Sequence, residues 1–308
     1  MLTLIFLLGL AATGLAQDSL QTILIKGGVA VRDGKYDEAL AAYQSALKID
    51  PNNTEATRNL GVIYSTKGDQ KKALEYFEKV YAVDSTDAAN ANNIGVIYSG
   101  YDKVDMAARY FEVAVKYDST SALFRSNLAG EYLKLNRPDD ALPVLRTAAL
   151  LDSTKPIIAY QTGRAYFQKK MADSCLYYFG RSIKMGGSSA ELFYLRGLAL
   201  AAKRMPDSAE ASYKSALAMD PKHLETLQTL GVFYVGKQQY PKALEMFKRA
   251  SAVDTTFALP VISLGVMYAM TGQDAKADSI RNRLRSADTL MSAKMDQLIA
   301  AERARPKK

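Results

Sequence analysis

Residues 36–51, YDEALAAYQSALKIDP, align with residues 70–85, QKKALEYFEKVYAVDS, at a shift of 34 residues. The same shift continues through the chain in three series of positions. The first series consists of small residues: Ala39, Ala73, Ala107, Ala141, Cys175, Ala209, Ala243 and Ala277. The second lies twelve residues earlier: Gly27, Gly61, Gly95, Ala129, Gly163, Gly197, Gly231 and Gly265. The third lies eleven residues after the first: Asp50, Asp84, Asp118, Asp152, Gly186, Asp220, Asp254 and Asp288. Seven of eight members match in each series, which indicates a chain built from repeated units.

Each unit has the pattern of two short helices. In the second unit, apolar residues recur at helical spacing on both sides of the break at residues 67–69, namely Leu60, Ile63 and Tyr64 before it and Ala73, Phe77 and Val80 after it. A single helix pair of this kind leaves an apolar face exposed, so neighbouring pairs must stack to bury it. The sequence therefore predicts a stack of helix pairs.

The residues Leu60-Gly61, Tyr64, Ala73 and Phe77 resemble the motif of the tetratricopeptide repeat (TPR) family, and the resemblance covers residues 20–291. It implies an all-α, right-handed superhelical solenoid of eight 34-residue helix-turn-helix repeats. The predicted repeats are 20–53, 54–87, 88–121, 122–155, 156–189, 190–223, 224–257 and 258–291. A capping helix at residues 291–304 and a basic tail at residues 305–308 complete the predicted organisation.

The junctions between units suggest how the helices begin and end. Asp-Ser-Thr segments, such as residues 84–86, are expected to end one helix and to offer hydroxyl N-caps to the next. Asp139 and Asp140 are expected to form an N-cap cluster, and Pro143 lies near the first turn of its helix.

The last repeat is atypical. Arg281 stands where earlier repeats carry an aromatic residue of the second helix. One apolar face then follows, formed by Met291, Met295, Leu298 and Ile299. We expect this amphipathic helix to cover the last repeat, and the alternative is a helix that binds a membrane surface.

The N-terminal segment MLTLIFLLGLAATGLA, residues 1–16, resembles a secretory signal peptide. Its apolar run ends in Gly14 and Ala16 around Leu15, a small-x-small pattern that predicts cleavage near Gln17. The run is shorter than the roughly 20 residues that span a bilayer. We therefore expect an exported protein, periplasmic or secreted. No Lys or Arg precedes the run, so the alternative is an uncleaved anchor, the one predicted contact with a membrane.

Composition argues against catalysis. The chain has one cysteine, Cys175, and one histidine, His223, too few for a zinc cluster of these residues or for a convincing Ser-His-Asp triad. Cys175 occupies the small-residue series and is expected to be a buried structural thiol, and His223 is expected at the surface without a partner. Residues 231–238 resemble a phosphate-binding loop, but they lie inside a predicted helix and end in Gln. We expect no enzyme activity, no cofactor and no metal. The net charge of +8 is mild, and no nucleic acid is expected as a partner.

In the TPR family, the first helices line a concave groove that receives a ligand. The resemblance places the following residues at groove positions: Arg58, Asn59, Asn92, Asn93, Ser126, Asn127, Tyr160, Gln161, Arg164, Phe167 and Tyr194. A carboxamide both donates and accepts hydrogen bonds, so a row of Asn59, Asn93 and Asn127 could hold an extended peptide backbone. The alternative is that these residues are solvated and bind nothing, because asparagine is frequent at this place in the family.

The expected function is a non-catalytic protein-interaction scaffold that binds an extended protein segment in the groove, in the cell envelope. Two alternatives remain open at this stage. The protein could be an assembly scaffold that oligomerises through its convex face or terminal helix, or it could bind an acidic polymer through its basic C-terminal half.

Overall fold

The structure is a computed structural model that describes residues 19–253 and 258–304. Within these residues all regular structure is helical. The helices are α1 (19–32), α2 (Tyr36–Ile49), α3 (Thr54–Thr66), α4 (Gln70–Val83), α5 (Ala88–Gly100), α6 (Val104–Tyr117), α7 (Ala122–Lys134), α8 (Pro138–Leu151), α9 (Pro156–Gln168), α10 (Ala172–Lys184), α11 (Ala190–Ala202), α12 (Pro206–Met219), α13 (Leu224–Gly236), α14 (Tyr240–Val253), α15 (Ala258–Met270), α16 (Asp274–Ala287) and α17 (Thr289–Arg303). The predicted signal segment, residues 1–16, and the predicted basic tail, residues 305–308, lie outside the described residues.

The helices follow the 34-residue period. The first helices of the repeats from α3 onward begin at Thr54, Ala88, Ala122, Pro156, Ala190, Leu224 and Ala258, each 34 residues after the one before. Each is followed by a second helix after a turn of three residues. The prediction of an all-α fold of stacked helix pairs is therefore confirmed.

The chain divides into two compact units, residues 1–165 and residues 166–308. The first unit contains two apolar clusters, one around Tyr43, Leu60 and Ile63 and the other around Phe77, Phe111 and Leu145. The second unit contains one cluster, which includes Tyr213, Phe247 and Met295. Each core lies between helix pairs, as the apolar pattern of the repeats requires.

Close contact between the two helices of a repeat depends on the glycine series. A Cβ atom added to Gly61 would lie 2.6 Å from Cε1 of Phe77, so the aromatic ring of the second helix occupies the space that a side chain would need. The same pairing recurs between Gly95 and Phe111 and between Gly231 and Phe247. Repeat four instead pairs Ala129 with the smaller Leu145, and both are buried.

The Asp-Ser-Thr junctions differ from the prediction. The hydroxyl of Thr86 donates back to Oδ1 of Asp84 at 2.6 Å, and the N-cap of α5 is Asp87, whose side chain accepts from the backbone N–H of Asn90. The threonine therefore stabilises the end of the preceding helix, because its hydroxyl lies beside the aspartate two residues earlier.

Asp139 and Asp140 also differ from the prediction, because they lie in the first turn of α8 rather than at its N-cap. Arg137 is the N-cap residue and pairs with Asp140 at 2.7 Å. Pro143 lies inside the same helix.

The terminal helix α17 covers the last repeat, as expected. It packs on both α15 and α16, and Met295 is fully buried beside Gly265, where an aromatic ring of the second helix lies in earlier repeats. Arg281 points away from this space and pairs with Asp278 and with Asp296 of α17. Leu298, expected on the buried face, is 41% exposed. None of the described helices has both the length and the apolar character needed to cross a membrane.

Candidate functional site

Side chains on the first helices connect neighbouring repeats in the first unit. Nδ2 of Asn127 in α7 donates to Oδ1 of Asn92 in α5 at 2.8 Å. Oγ of Ser126 donates to Oε1 of Gln161 in α9 at 2.7 Å, and Nε2 of Gln161 donates to the carbonyl of Ser126 at 3.0 Å. The first helices therefore lie side by side. We call the side that carries these residues in α3, α5, α7 and the start of α9 the first-helix face.

Three of the predicted groove residues are not accessible. Asn92, Ser126 and Gln161 are only 7%, 4% and 8% exposed, whereas we expected the whole set to be open to a ligand. The reason is the stacking offset, since each bonded pair is 35 residues apart and one member stands opposite its partner in the next repeat. These polar side chains join repeats to each other.

Two carboxamides of the predicted row remain available. Asn59 and Asn93 are half-buried, and within the part of the chain that the structure describes neither side chain has a hydrogen-bond partner. Asn127 is also half-buried and donates to Asn92, which leaves its own carbonyl oxygen free to accept. Asn59 and Asn93 lie at equivalent places of α3 and α5.

The charged and aromatic members of the predicted set in this unit have local partners. Nη1 of Arg58 lies 2.5 Å from Oδ2 of Asp87, so its charge is compensated by the next repeat. The guanidinium of Arg164 lies 5.8 Å from the ring centre of Tyr160, within the range of a cation–π contact.

Aliphatic side chains accompany the free carboxamides. Val96, Leu123 and Ile157 are 49%, 61% and 48% exposed on α5, α7 and α9. They stand four residues before or three residues after the carboxamide position of their own helix, spacings that place side chains on one side of a helix. The first-helix face therefore offers hydrogen-bonding amides beside apolar surface.

A buried carboxylate was missed by the sequence analysis. Glu131 in α7 is almost fully buried, and its Oε1 accepts from Ser99 Oγ at 2.7 Å and from Lys134 Nζ at 2.9 Å. Two residues after the repeat glycine, where Glu131 lies, other repeats carry Ile63 and Ile97. That exchange of an apolar residue for an acid was the available signal.

In the second unit, Phe167 lines a pocket of about 510 Å³. The other lining residues are Gln168, Lys170, Ala172, Cys175, Leu198, Ala199 and Ala202. Cys175 is fully buried, as predicted, and burial raises the pKa of its thiol to about 11. Such a thiol stays protonated near neutral pH and is a poor nucleophile.

Tyr194 and His223 form a second contact in this unit. The Tyr194 ring lies 5.5 Å from the His223 imidazole, and the Tyr194 hydroxyl lies 3.5 Å from Oγ1 of Thr229 in the next repeat. His223 was expected at the surface without a partner, and this was wrong. It is the N-cap of α13, its Nδ1 accepts from the backbone N–H of Thr226, and its side chain is largely buried. No group of three or more His, Cys, Asp or Glu residues suited to a metal occurs among the residues described.

Comparison with known proteins supports the repeat assignment. A TPR repeat model matches residues 30–68, and tetratricopeptide repeat models match residues 59–87 and 200–259. No curated protein sequence matches the chain.

Solved structures similar to the chain share its architecture. PilF of Pseudomonas aeruginosa is 20% identical with a TM-score of 0.60, over 70% of this chain and 98% of that chain. YrrB, described as a TPR protein with an unusual peptide-binding site, is 23% identical with a TM-score of 0.52, over 61% of this chain and 97% of that one. The Cut9–Hcn1 assembly is 18% identical with a TM-score of 0.62, over 91% of this chain and 55% of that one. Identities this low show a common fold and no more.

Proposed function

Because the chain is a tetratricopeptide repeat protein, we propose that it is a non-catalytic scaffold that binds an extended segment of another protein on its first-helix face. The observation that carries this proposal is the pair of unpartnered carboxamides, Asn59 and Asn93, at equivalent places of two neighbouring helices. Exposed Val96 and Leu123 accompany them.

This combination suits a peptide backbone. Each free carboxamide can donate to a backbone carbonyl and accept from a backbone N–H, whatever the side chains of the segment are. Each such bond contributes about 0.5–1.5 kcal/mol, and apolar contact adds about 25 cal/mol per Å² of buried surface. The free energy of ordering the segment offsets part of this gain, so moderate affinity is expected.

The relatives agree in function class. TPR proteins bind protein or peptide partners in general, and YrrB is described by its peptide-binding site. The Cut9–Hcn1 structure is itself a complex of two proteins. These likenesses support protein binding as the class of function for this chain.

We also propose that the protein works in the cell envelope. The support for this location is the apolar segment from Leu2 to Leu10, which is followed by the small residues Gly14 and Ala16. Intact-mass analysis of exported protein should give a chain that starts at or near Gln17, and a mature chain that retains Met1 would contradict cleavage.

Photo-crosslinking in the native host tests the binding face. A photoreactive residue replaces Val96 on the first-helix face in one variant and Val83 at the end of the second helix α4 in another. Both valines are exposed, and both changes leave the core intact. We expect a crosslinked partner from position 96 and none from position 83.

Two other outcomes would overturn the proposal. Adducts from position 83 alone would place the contact on the opposite side of the repeats. Adducts with the mass of two copies of the chain would favour the assembly scaffold instead.

A further inference from the structure

The pocket at Phe167 exists because one repeat carries unusually small side chains. Two residues after the repeat glycine, α11 has Ala199, whereas repeats two, three and seven have Ile63, Ile97 and Phe233 at that place. Five residues after the glycine α11 has Ala202, where the last repeat has Met270. The volume that larger residues would fill is left as the pocket of about 510 Å³, a size suited to a bulky ligand group.

Its floor and rim differ in character. Ala199 and Cys175 are buried and form an apolar floor, while Phe167 and Leu198 are half-buried at the sides. Ala202 and Lys170 are exposed at the rim. Lys170 has no acidic partner among the described residues, in contrast to Lys203, which pairs with Asp173. An uncompensated ammonium group therefore stands beside an apolar cavity.

The charge of the surrounding unit has the same sign. Residues 166–308 contain 22 basic and 13 acidic side chains, a net charge of +9, whereas residues 1–165 contain 18 and 19, a net charge of −1. A field of this sign attracts acidic segments and repels basic ones.

We propose that this pocket is a specificity site for a peptide segment in which a bulky apolar side chain stands next to an aspartate or glutamate. The apolar side chain enters between Phe167 and Leu198 above Ala199, and the carboxylate pairs with Lys170 at the rim. This inference rests on the proposed function, since it names the chemistry of the segment that the scaffold selects.

A random heptapeptide library displayed on phage is the probe, and it is panned against the full chain and against variants. Ala202→Met fills the pocket with the residue that repeat eight carries at the same place, so it should fold normally. Ala201→Met is the matched control, because its exposed neighbour lies outside the pocket lining. Lys170→Glu reverses the rim charge, and Arg204→Glu is its control, since both residues occupy the same left-handed turn position (φ 57° and 59°).

The wild-type chain should enrich peptides with a bulky apolar residue next to Asp or Glu. Ala202→Met should lower binding of such a peptide at least about tenfold, with Ala201→Met unchanged. Lys170→Glu should lower it about two- to fivefold and shift enrichment toward Lys and Arg beside the apolar residue, with Arg204→Glu unchanged.

Three outcomes would overturn the inference. If Ala202→Met enriches the same peptides as wild type, the pocket is not the site. If peptides of another composition are enriched, and Asn59→Ala with Asn93→Ala abolishes their binding, the proposed function stands and the pocket assignment fails. If no peptide is enriched, but a free fatty acid binds and Ala202→Met blocks it, the pocket takes a small apolar acid and the peptide assignment fails.

Discussion

At the scale of single residues, small exchanges within the repeat motif decide what each repeat can do. Ala199 opens a pocket where Ile63 fills the core, and Glu131 puts a carboxylate at the same place in another repeat. Neither change disturbs the helix pair, because the Gly–aromatic contact between the two helices is maintained elsewhere in the motif.

Gly61 should not tolerate a methyl group. Gly61→Ala would force the buried Phe77 ring to move, since the added Cβ would lie 2.6 Å from its Cε1, and we expect a loss of about 1–3 kcal/mol in the free energy of unfolding. Gly180→Ala, also inside a helix, would meet nothing within 4 Å and should gain about 0.5–1 kcal/mol. Urea denaturation measures both, and equal stabilities would contradict the packing described.

Glu131 should be replaceable by a hydrophobic residue. Glu131→Leu removes a buried carboxylate with one unpartnered oxygen, while Lys134 stays exposed enough to be solvated. Such replacements are commonly neutral or stabilising, and we expect a gain of up to about 1 kcal/mol in the free energy of unfolding. A loss of more than about 1 kcal/mol would show that its bonds to Ser99 and Lys134 stabilise the fold.

At the scale of helices, the sequence alone predicted most of the architecture. The 34-residue period fixes where every first helix begins, because seven-of-eight matches in each series leave no room for an insertion. It could not predict that Asn92, Ser126 and Gln161 are buried, since the period aligns equivalent residues but does not show which ones meet across the 35-residue offset. The hydroxyl caps were wrong for a local reason, because Asp84 competes for the Thr86 hydroxyl.

The turns inside the repeats share one strained residue. Eight equivalent positions adopt positive φ, at Gly34, Gly68, Asp102, Asn136, Lys170, Arg204, Gln238 and Gly272. Only glycine adopts this conformation without steric cost. Arg204→Gly should therefore raise the free energy of unfolding by about 0.5–1 kcal/mol, and Gly68→Ala should lower it by about 1 kcal/mol. A destabilised Arg204→Gly variant would contradict this reasoning.

The terminal helix α17 should stabilise the last repeat through one side chain. Met295→Ala would leave a cavity beside Gly265, and we expect a loss of about 2–4 kcal/mol. Leu290→Ala, at an exposed position of the same helix, should change stability by less than about 0.5 kcal/mol. Thermal denaturation compares the two, and similar melting temperatures would mean that α17 does not cap the repeat.

At the scale of the whole molecule, the two compact units differ in chemistry. The first unit is nearly neutral and carries the free carboxamides, while the second has a net charge of +9 and the pocket lined by Phe167. The acidic-polymer alternative would use only this charge, so it requires affinity that falls steeply with salt. A segment held by amide bonds and apolar contact should be much less sensitive to salt.

The central claim is that Asn59 and Asn93 hold a partner's backbone, and calorimetric titration with the partner segment that crosslinks at position 96 tests it most directly. The double variant Asn59→Ala, Asn93→Ala should bind between about fivefold and about 150-fold more weakly than wild type, with an unchanged melting temperature. The control variant Asn52→Ala, Asn282→Ala, at two exposed positions, should bind as wild type does. A double variant that binds with wild-type affinity would contradict the account.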